Sequence, residues 1–268
     1  PGSSVSPDQR YIIGSATRLK GPGAPVFQIV RLDLRKGRRE VIHEHPEICN
    51  PHLQFNPVHG RQILVQNNRG VRLHKDGSLD AYHTVDCSLF VINADGSNRR
   101  QLPCGSPHTR GGTGHECFIG DTGRVLFSCS WDARSDYDWR HDARWPQGNI
   151  FTAAPGDGRP AVFHAPEHLF NHVCASRCGR YFVADAYPGA LFRNGRSQAP
   201  SLVVGSLRSG RHRVLVQDSQ ASSGGNQCTH THPYLTADNR HVIYNADGGY
   251  GIPQVFAARL PDGFLEAL

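Results

Sequence analysis

The sequence predicts an all-β fold, a β-propeller of four-stranded blades arranged as one domain over residues 1–268. Three observations predict it. Gly 29 and Pro 18 among 268 residues, with 38% hydrophobic content and a mean hydropathy of -0.47, leave no long helix-forming stretches of the kind a bundle needs. A turn followed by an apolar run recurs five times along the chain. After each recurrence come two more apolar runs, joined by a glycine-containing turn in hairpin order. A sandwich would account for the strands but not for the repetition.

The five openings are SPDQRYIIGSA, NPVHGRQILVQN, GDTGRVLFSCS, SRCGRYFVADA and TADNRHVIYNAD. Turn residues precede an apolar run in each. Measured between Arg10, Arg61, Arg124, Arg180 and Arg240, the periods are 51, 63, 56 and 60 residues. The following pairs of strands are VFQIVRLDLRKGRREVI, SLFVINADGSNRRQL, NIFTAAPGDGRPAVF, SLVVGSLRSGRHRVLV and QVFAARLPDGF. A short segment before four of the turns, HLQF, HECFI, HVCA and HPYL, supplies the fourth strand, read as the innermost of each blade. The long loops 17–25, 68–86, 131–147 and 187–199 then fall on one face, rich in Arg, His, Tyr and Trp and suited to binding.

The formal charge is +6, and 26 of the 29 basic residues are arginine. Guanidinium forks suit carboxylate, sulfate or phosphate ligands, so an anionic partner is one reading of this balance and genomic codon bias is the other. The arginines are dispersed rather than clustered, which argues against a nucleic-acid footprint. No run reaches the roughly 18 apolar residues of a membrane span, so no membrane partner is expected. The chain opens at Pro1 and contains no Met, and N-terminal blades are expected to be absent from it. The eight cysteines form no CxxC pair and are expected to be reduced core residues of a cytoplasmic protein, or of a periplasmic one if a leader preceded Pro1. A monomer or weak homo-oligomer is expected.

Histidines recur in phase with the repeat. His52 and His115 each lie nine residues before the repeat's arginine, and His172 and His232 lie eight before theirs. At the start of successive inner strands their imidazoles would converge, which suits metal binding or proton transfer. Taken singly, each histidine is as well explained as a cap on its strand. The segment Asn226-Gln227-Cys228-Thr229-His230-Thr231-His232-Pro233 is the most pointed, because on an extended strand His230 and His232 face one side. With His172 as a third imidazole and the amide oxygen of Gln227, the set suits Mn, Fe, Ni or Zn with positions left open. Cys174 and Cys228 flank these residues and offer a thiolate site as the alternative.

With HECFI, NHVCAS and QCTHTHP at successive blade starts and SLFVINADGSNRRQL between them, the chain resembles the oligogalacturonate lyase family from about His52 to Leu260. That resemblance implies a seven-bladed propeller, of which about five blades are represented here. It implies a divalent metal, Mn2+ first, held by His172, Gln227, His230 and His232, with His115 as catalytic base. The activity implied is β-elimination of oligogalacturonate or a related oligouronide, so that an acidic oligosaccharide is the expected partner, giving 4,5-unsaturated products. The family has an arginine just before the LFVIN strand where this chain has Ser88, and Arg69 or Arg72 in the adjoining loop is the nearest substitute. His52 and Arg69 are the expected substrate contacts, with Arg134, Tyr137, Trp139, Arg140 and Arg144 offered by the loop from Trp131 to Trp145. A non-catalytic propeller serving as an interaction platform is the alternative, and it requires no metal.

Overall fold

The computed structural model of the protein describes residues 2–80, 86–129, 148–187, 199–221, 229–248 and 251–268. Among these residues every regular element is a β-strand, and no helix is long and apolar enough to cross a membrane. Gly2–Val5, Tyr11–Arg18, Val26–Asp33 and Arg38–His45 form the first sheet. The second consists of Gln54–Phe55, Gln62–Arg69, Asp86–Asn93 and Arg100–Gln101, with a small hairpin, Arg72–Leu73 and Leu79–Asp80, set into its long loop. Gly112–Phe118, Val125–Cys129, Ile150–Ala153 and Ala161–Phe163 form the third sheet, and Leu169–Ala175, Tyr181–Tyr187, Ser201–Ser206 and His212–Val216 the fourth. Tyr234–Leu235, His241–Ala246 and Gln254–Arg259 make a three-stranded fifth. Each sheet is a meander in which chain neighbours pair, as the sequence repeat predicts.

One turn explains why the repeat exists. The residues just before the five repeating arginines, Gln9, Gly60, Gly123, Gly179 and Asn239, have φ of +56°, +63°, +68°, +70° and +56°. Glycine and asparagine tolerate this left-handed backbone, which is why they dominate the position. The third reversal is closed by Ile119 N to Arg124 O at 2.9 Å, and the other four by a donor before the turn reaching the carbonyl just after the arginine, for example Ser176 N to Tyr181 O at 2.8 Å and Thr236 N to His241 O at 2.9 Å. The arginine carbonyl then accepts from the end of the third strand, as in Leu34 N to Arg10 O at 2.8 Å and Leu207 N to Arg180 O at 2.9 Å.

The described chain divides into two compact units, Pro1–Gly114 with Ala153–Pro160, and His115–Thr152 with Ala161–Leu268. In the first, Ile13, Phe27 and Ile29 of one sheet interlock with Ile63, Val65, Phe90 and Ile92 of the next. In the second, Leu126, Ile150 and Phe163 pack on Phe170, Phe182, Ala184 and Val203, while Val183, Leu202 and Val204 pack on Leu235 and Val242. Middle strands are therefore buried on both faces, and their apolar runs are continuous rather than alternating. Edge strands such as Arg38–His45 are charged and partly exposed, which discourages edge-to-edge pairing.

Phe182 is fully buried, its ring 4.7 Å from Phe163 and 6.3 Å from Phe170. Gly205 makes room for it, since a Cβ there would lie 2.3 Å from the Phe182 ring. Phe182→Ala is expected to cost about 3–5 kcal/mol of stability, read from the denaturant midpoint. A loss below about 1 kcal/mol would contradict this packing.

Candidate metal centre

The centre lies within the second unit and starts from an irregularity. The pairing of Leu169–Ala175 with Tyr181–Tyr187 shifts register between Phe170 and Val173, so Asn171 and His172 sit on a bulge. A bulge re-aims side chains and takes backbone groups out of the ladder. The freed His172 N–H donates to Asp185 Oδ1 at 2.7 Å, and His172 Nδ1 donates to Asp185 Oδ2 at 2.5 Å. Asp185 is fully buried, and Thr231 Oγ1 donates to its Oδ2 at 2.6 Å. Burial alone would raise the Asp185 pKa, but His172 and the hydrogen bonds from His172 and Thr231 outweigh it and hold the carboxyl below the usual range.

With Nδ1 bound to the carboxylate, the lone pair of His172 is on Nε2. That atom is buried and has no hydrogen-bond partner. His230 and His232 supply the neighbouring donors, and one ligand atom from each of the three imidazoles lies within 4.8 Å of the others. The His172 ring centroid is 4.1 Å from that of His232 and 5.1 Å from that of His230. An orphaned, buried imidazole nitrogen beside two more imidazoles fits a divalent ion of the borderline class. The carboxylate behind His172 is the usual outer partner of a metal-binding histidine.

Thr229-His230-Thr231-His232 alternates as the sequence suggests, with buried threonines and exposed histidines. The threonines are the anchors: Thr229 Oγ1 donates to Asp247 Oδ2 at 2.9 Å while Thr231 holds Asp185. The expected extended strand is replaced by irregular backbone in which His232 has φ of +39°, and the paired strand begins only at Tyr234. Burial, reinforced by His172, lowers the His230 pKa.

His115 stands in Gly112–Phe118, 4.1 Å from His172 and 6.1 Å from His232 between ring centroids, and outside the three-imidazole group. Its Nδ1 bonds Asn171 Oδ1 at 3.0 Å, and Ser128 Oγ fixes the bulge by donating to Asn171 O at 2.5 Å. Glu116 is buried next to it in the chain, its pKa pushed up to about 8 by desolvation.

The other expected site residues lie outside the three-imidazole group, in the first unit, or outside the described residues. Gln227, Cys228 and the loop from Trp131 to Trp145 with Arg134, Tyr137, Trp139, Arg140 and Arg144 lie outside the described residues. Cys174 is not part of the three-imidazole group. His52 and Arg69 belong to the first unit. There His52 bonds Gly114 O through Nδ1 and Asn50 Nδ2 through Nε2 at 2.9 Å, in keeping with the capping role open to any single histidine. Gly114, at φ +84°, has no room for a side chain, since its Cβ would lie 2.6 Å from Gln66 Oε1. Arg69 is bonded to Asp86 and to Ser106 O, and Ser88 is buried in its strand, where Asn67 Nδ2 donates to it at 3.4 Å. Sequence reasoning passed over Asp185, Asn171 and Thr231. The available signal for Asp185 was an acidic residue inside the apolar run YFVADAY.

Comparison with known proteins bears on this arrangement. The chain is 32% identical over 253 residues to an oligogalacturonate lyase of Dickeya dadantii, covering 90% of this chain and 58% of that protein. An oligogalacturonide lyase of Pectobacterium atrosepticum is 26% identical over 248 residues, covering 89% and 56%. The chain is a relative of the oligogalacturonate lyases. It spans little more than half the length of these curated relatives. No family model matches it. Among solved structures, an oligogalacturonate lyase in complex with manganese superposes with a TM-score of 0.67 at 17% identity, over 98% of this chain and 65% of that one. TolB from Acinetobacter baumannii superposes at 0.60 with 12% identity, over 95% of this chain and 51% of that one. These likenesses establish the all-β, propeller-type fold.

Asp185→Asn is expected to weaken binding of a divalent ion about 10- to 100-fold, as loss of an outer-shell carboxylate does, measured by metal titration on a chain still folded by circular dichroism. Burial also depresses His43, His45 and His52 along with His230. Below the unfolded imidazole value of about 6.5 the unfolded chain takes up these protons before the folded one does. The metal-free chain should therefore lose stability as pH falls from about 6.5 toward 5 and show no such loss above about 6.5, which denaturant midpoints at stepped pH will check.

Proposed function

We propose that the chain carries the metal centre and the catalytic base of a lyase that cleaves oligogalacturonate, or a related oligouronide, by β-elimination. The observation that carries this reading is the bare, buried Nε2 of His172 among the imidazoles of His230 and His232, with His115 alongside but not in the group. His172, His230 and His232 would hold the ion, with Gln227 as the fourth donor of the reading. The manganese complex of a structural neighbour favours Mn2+, and Zn, Ni or Fe suit the same donors. A divalent ion held by these residues would supply charge neutralisation for a uronate carboxylate and so stabilise an enolate-like transition state.

Asn171 sets the part played by His115. With Nδ1–H donated to the amide oxygen of Asn171, the His115 lone pair is on Nε2, where it can accept a proton. In the reading proposed here Nε2 takes the C5 proton, the C5–H electron pair forms the C4–C5 double bond, and the C4–O bond breaks with its electrons leaving on oxygen. No water is consumed, and the new non-reducing end is a 4,5-unsaturated uronate. An imidazole with an ordinary pKa of about 6.5 is suited to this near neutral pH. The net charge of +6 favours encounter with a polyanionic substrate.

The test supplies oligogalacturonate to the chain with and without Mn2+ and follows the ultraviolet absorbance of the unsaturated product. Absorbance that needs the ion is expected. New reducing ends without absorbance would mean hydrolysis and overturn the proposal, as would activity unaffected by chelation. His115→Ala should keep its bound metal and lose about 10²- to 10⁴-fold in turnover. His230→Ala should lose both metal and turnover.

A further inference from the structure

A second donor cluster lies in the same unit and shares no residue with the first. We propose that Glu167, His168 and His212 form an independent zinc-class metal site that ties the turn entering the fourth sheet to the edge strand of that sheet. One ligand atom from each lies within 4.8 Å of the other two. His212 Nε2 is 2.6 Å from Glu167 Oε1, and His168 Nε2 is 3.9 Å from the same oxygen. Donors about 2.0–2.1 Å from a tetrahedral zinc ion stand about 3.3 Å apart. The two separations straddle that value and the third lies within 4.8 Å, so side-chain adjustments of about 1–1.5 Å would bring all three donors to the spacing of one ion.

The fold holds these groups in place before any ion arrives. Glu167 and His168 occupy a turn closed by His168 N to Ala165 O at 3.1 Å, between Ala161–Phe163 and Leu169–Ala175. His212 opens the edge strand His212–Val216 and pairs with Gly205. The His168 ring rests 5.3 Å from Phe170 and the His212 ring 5.8 Å from Phe163, and both phenyl rings pack on buried Phe182. This aromatic wall limits the rotation of both imidazoles. Glu167, with 55% of its side chain exposed, leaves room for water to complete the coordination.

The plainer account is a surface ion pair between Glu167 and His212, worth about 0–1 kcal/mol. It leaves His168 only a long ion-pair contact with the same oxygen, since 3.9 Å is beyond a hydrogen bond. Two imidazoles and one carboxylate match the donor set of zinc, whereas Ca2+ and Mg2+ prefer oxygen ligands throughout. The consequence would be a clamp, because an ion that binds only the folded chain stabilises it by mass action.

The experiment treats the whole chain with chelator, dialyses it against zinc chloride, and counts zinc per chain by mass spectrometry in the wild type and in His212→Ala, Glu167→Gln and His230→Ala. The wild type is expected to hold two ions, His230→Ala one, and His212→Ala one. Glu167→Gln alters an exposed side chain and should fold in any case, with zinc affinity at the second site lowered at least tenfold. Zinc should raise the melting temperature of His230→Ala but not that of the His212→Ala, His230→Ala double variant. A His230→Ala chain that binds no zinc, or His212→Ala and Glu167→Gln chains that bind it like the wild type, would overturn the site. A wild-type chain with one ion, kept by His230→Ala and lost by His212→Ala, would support this site while removing the lyase centre.

Discussion

The buried carboxylate of Asp185 is the constraint on which the candidate centre depends. It accepts from the backbone and the ring of His172 and from Thr231, with Tyr187 OH at 3.4 Å as a weaker fourth donor. Burying a carboxylate costs several kcal/mol, and hydrogen bonds to a charged group return about 1.5–3 kcal/mol each. Three short bonds are enough to keep it ionised, in agreement with its lowered pKa. The same carboxylate joins two distant pieces of chain, the bulge at His172 and the THTH segment, because Thr231 sits between His230 and His232. A single side chain thus sets both the orientation of one imidazole and the position of two others.

The charge of that carboxylate shapes what the centre can hold. Three neutral imidazoles do not compensate a buried negative charge. A proton on His172 Nε2 or a cation beside it does, and the two compete for one lone pair. A cation there would account for an unpartnered nitrogen in a buried position. An apolar neighbour in place of Asp185 would leave the backbone N–H of a bulge unsatisfied, so the bulge and the carboxylate require each other.

Much of this was legible in the sequence, and what was legible was periodic. The repeat appears because one left-handed turn residue, a glycine at three of the five positions, must recur for each sheet to begin. Of the in-phase histidines, His115, His172 and His232 gather in one unit together with His230, while His52 belongs to the other. The irregular features were not legible. The left-handed backbone at His232 and the bulge at His172 follow from tertiary bonds to Asp185, Asp247 and Asn171, which no local pattern encodes. Asp185 itself sits in a continuous apolar run, and only the structure reveals that four donors face it. The cluster of Glu167, His168 and His212 was invisible for a similar reason, since 44 residues separate His168 from His212.

The proposed division of labour between His115 and His172 rests on what stands behind each ring. The two rings are 4.1 Å apart, and their partners differ by a single charge. His172 is backed by a carboxylate, which fixes its ring and makes it the stronger ligand. His115 is backed by the amide of Asn171, which fixes the tautomer without adding charge, so its Nε2 is the weaker ligand of the two. Glu116, the one acid adjacent to it in the chain, is pushed up to about 8 and is therefore mostly neutral near pH 7, where an ionised neighbour would have raised the His115 pKa. Consecutive residues of one bulge, Asn171 and His172, thereby separate a ring suited to holding an ion from a ring suited to accepting a proton. Exchanging amide for carboxylate behind His115 would erase that difference without moving either ring.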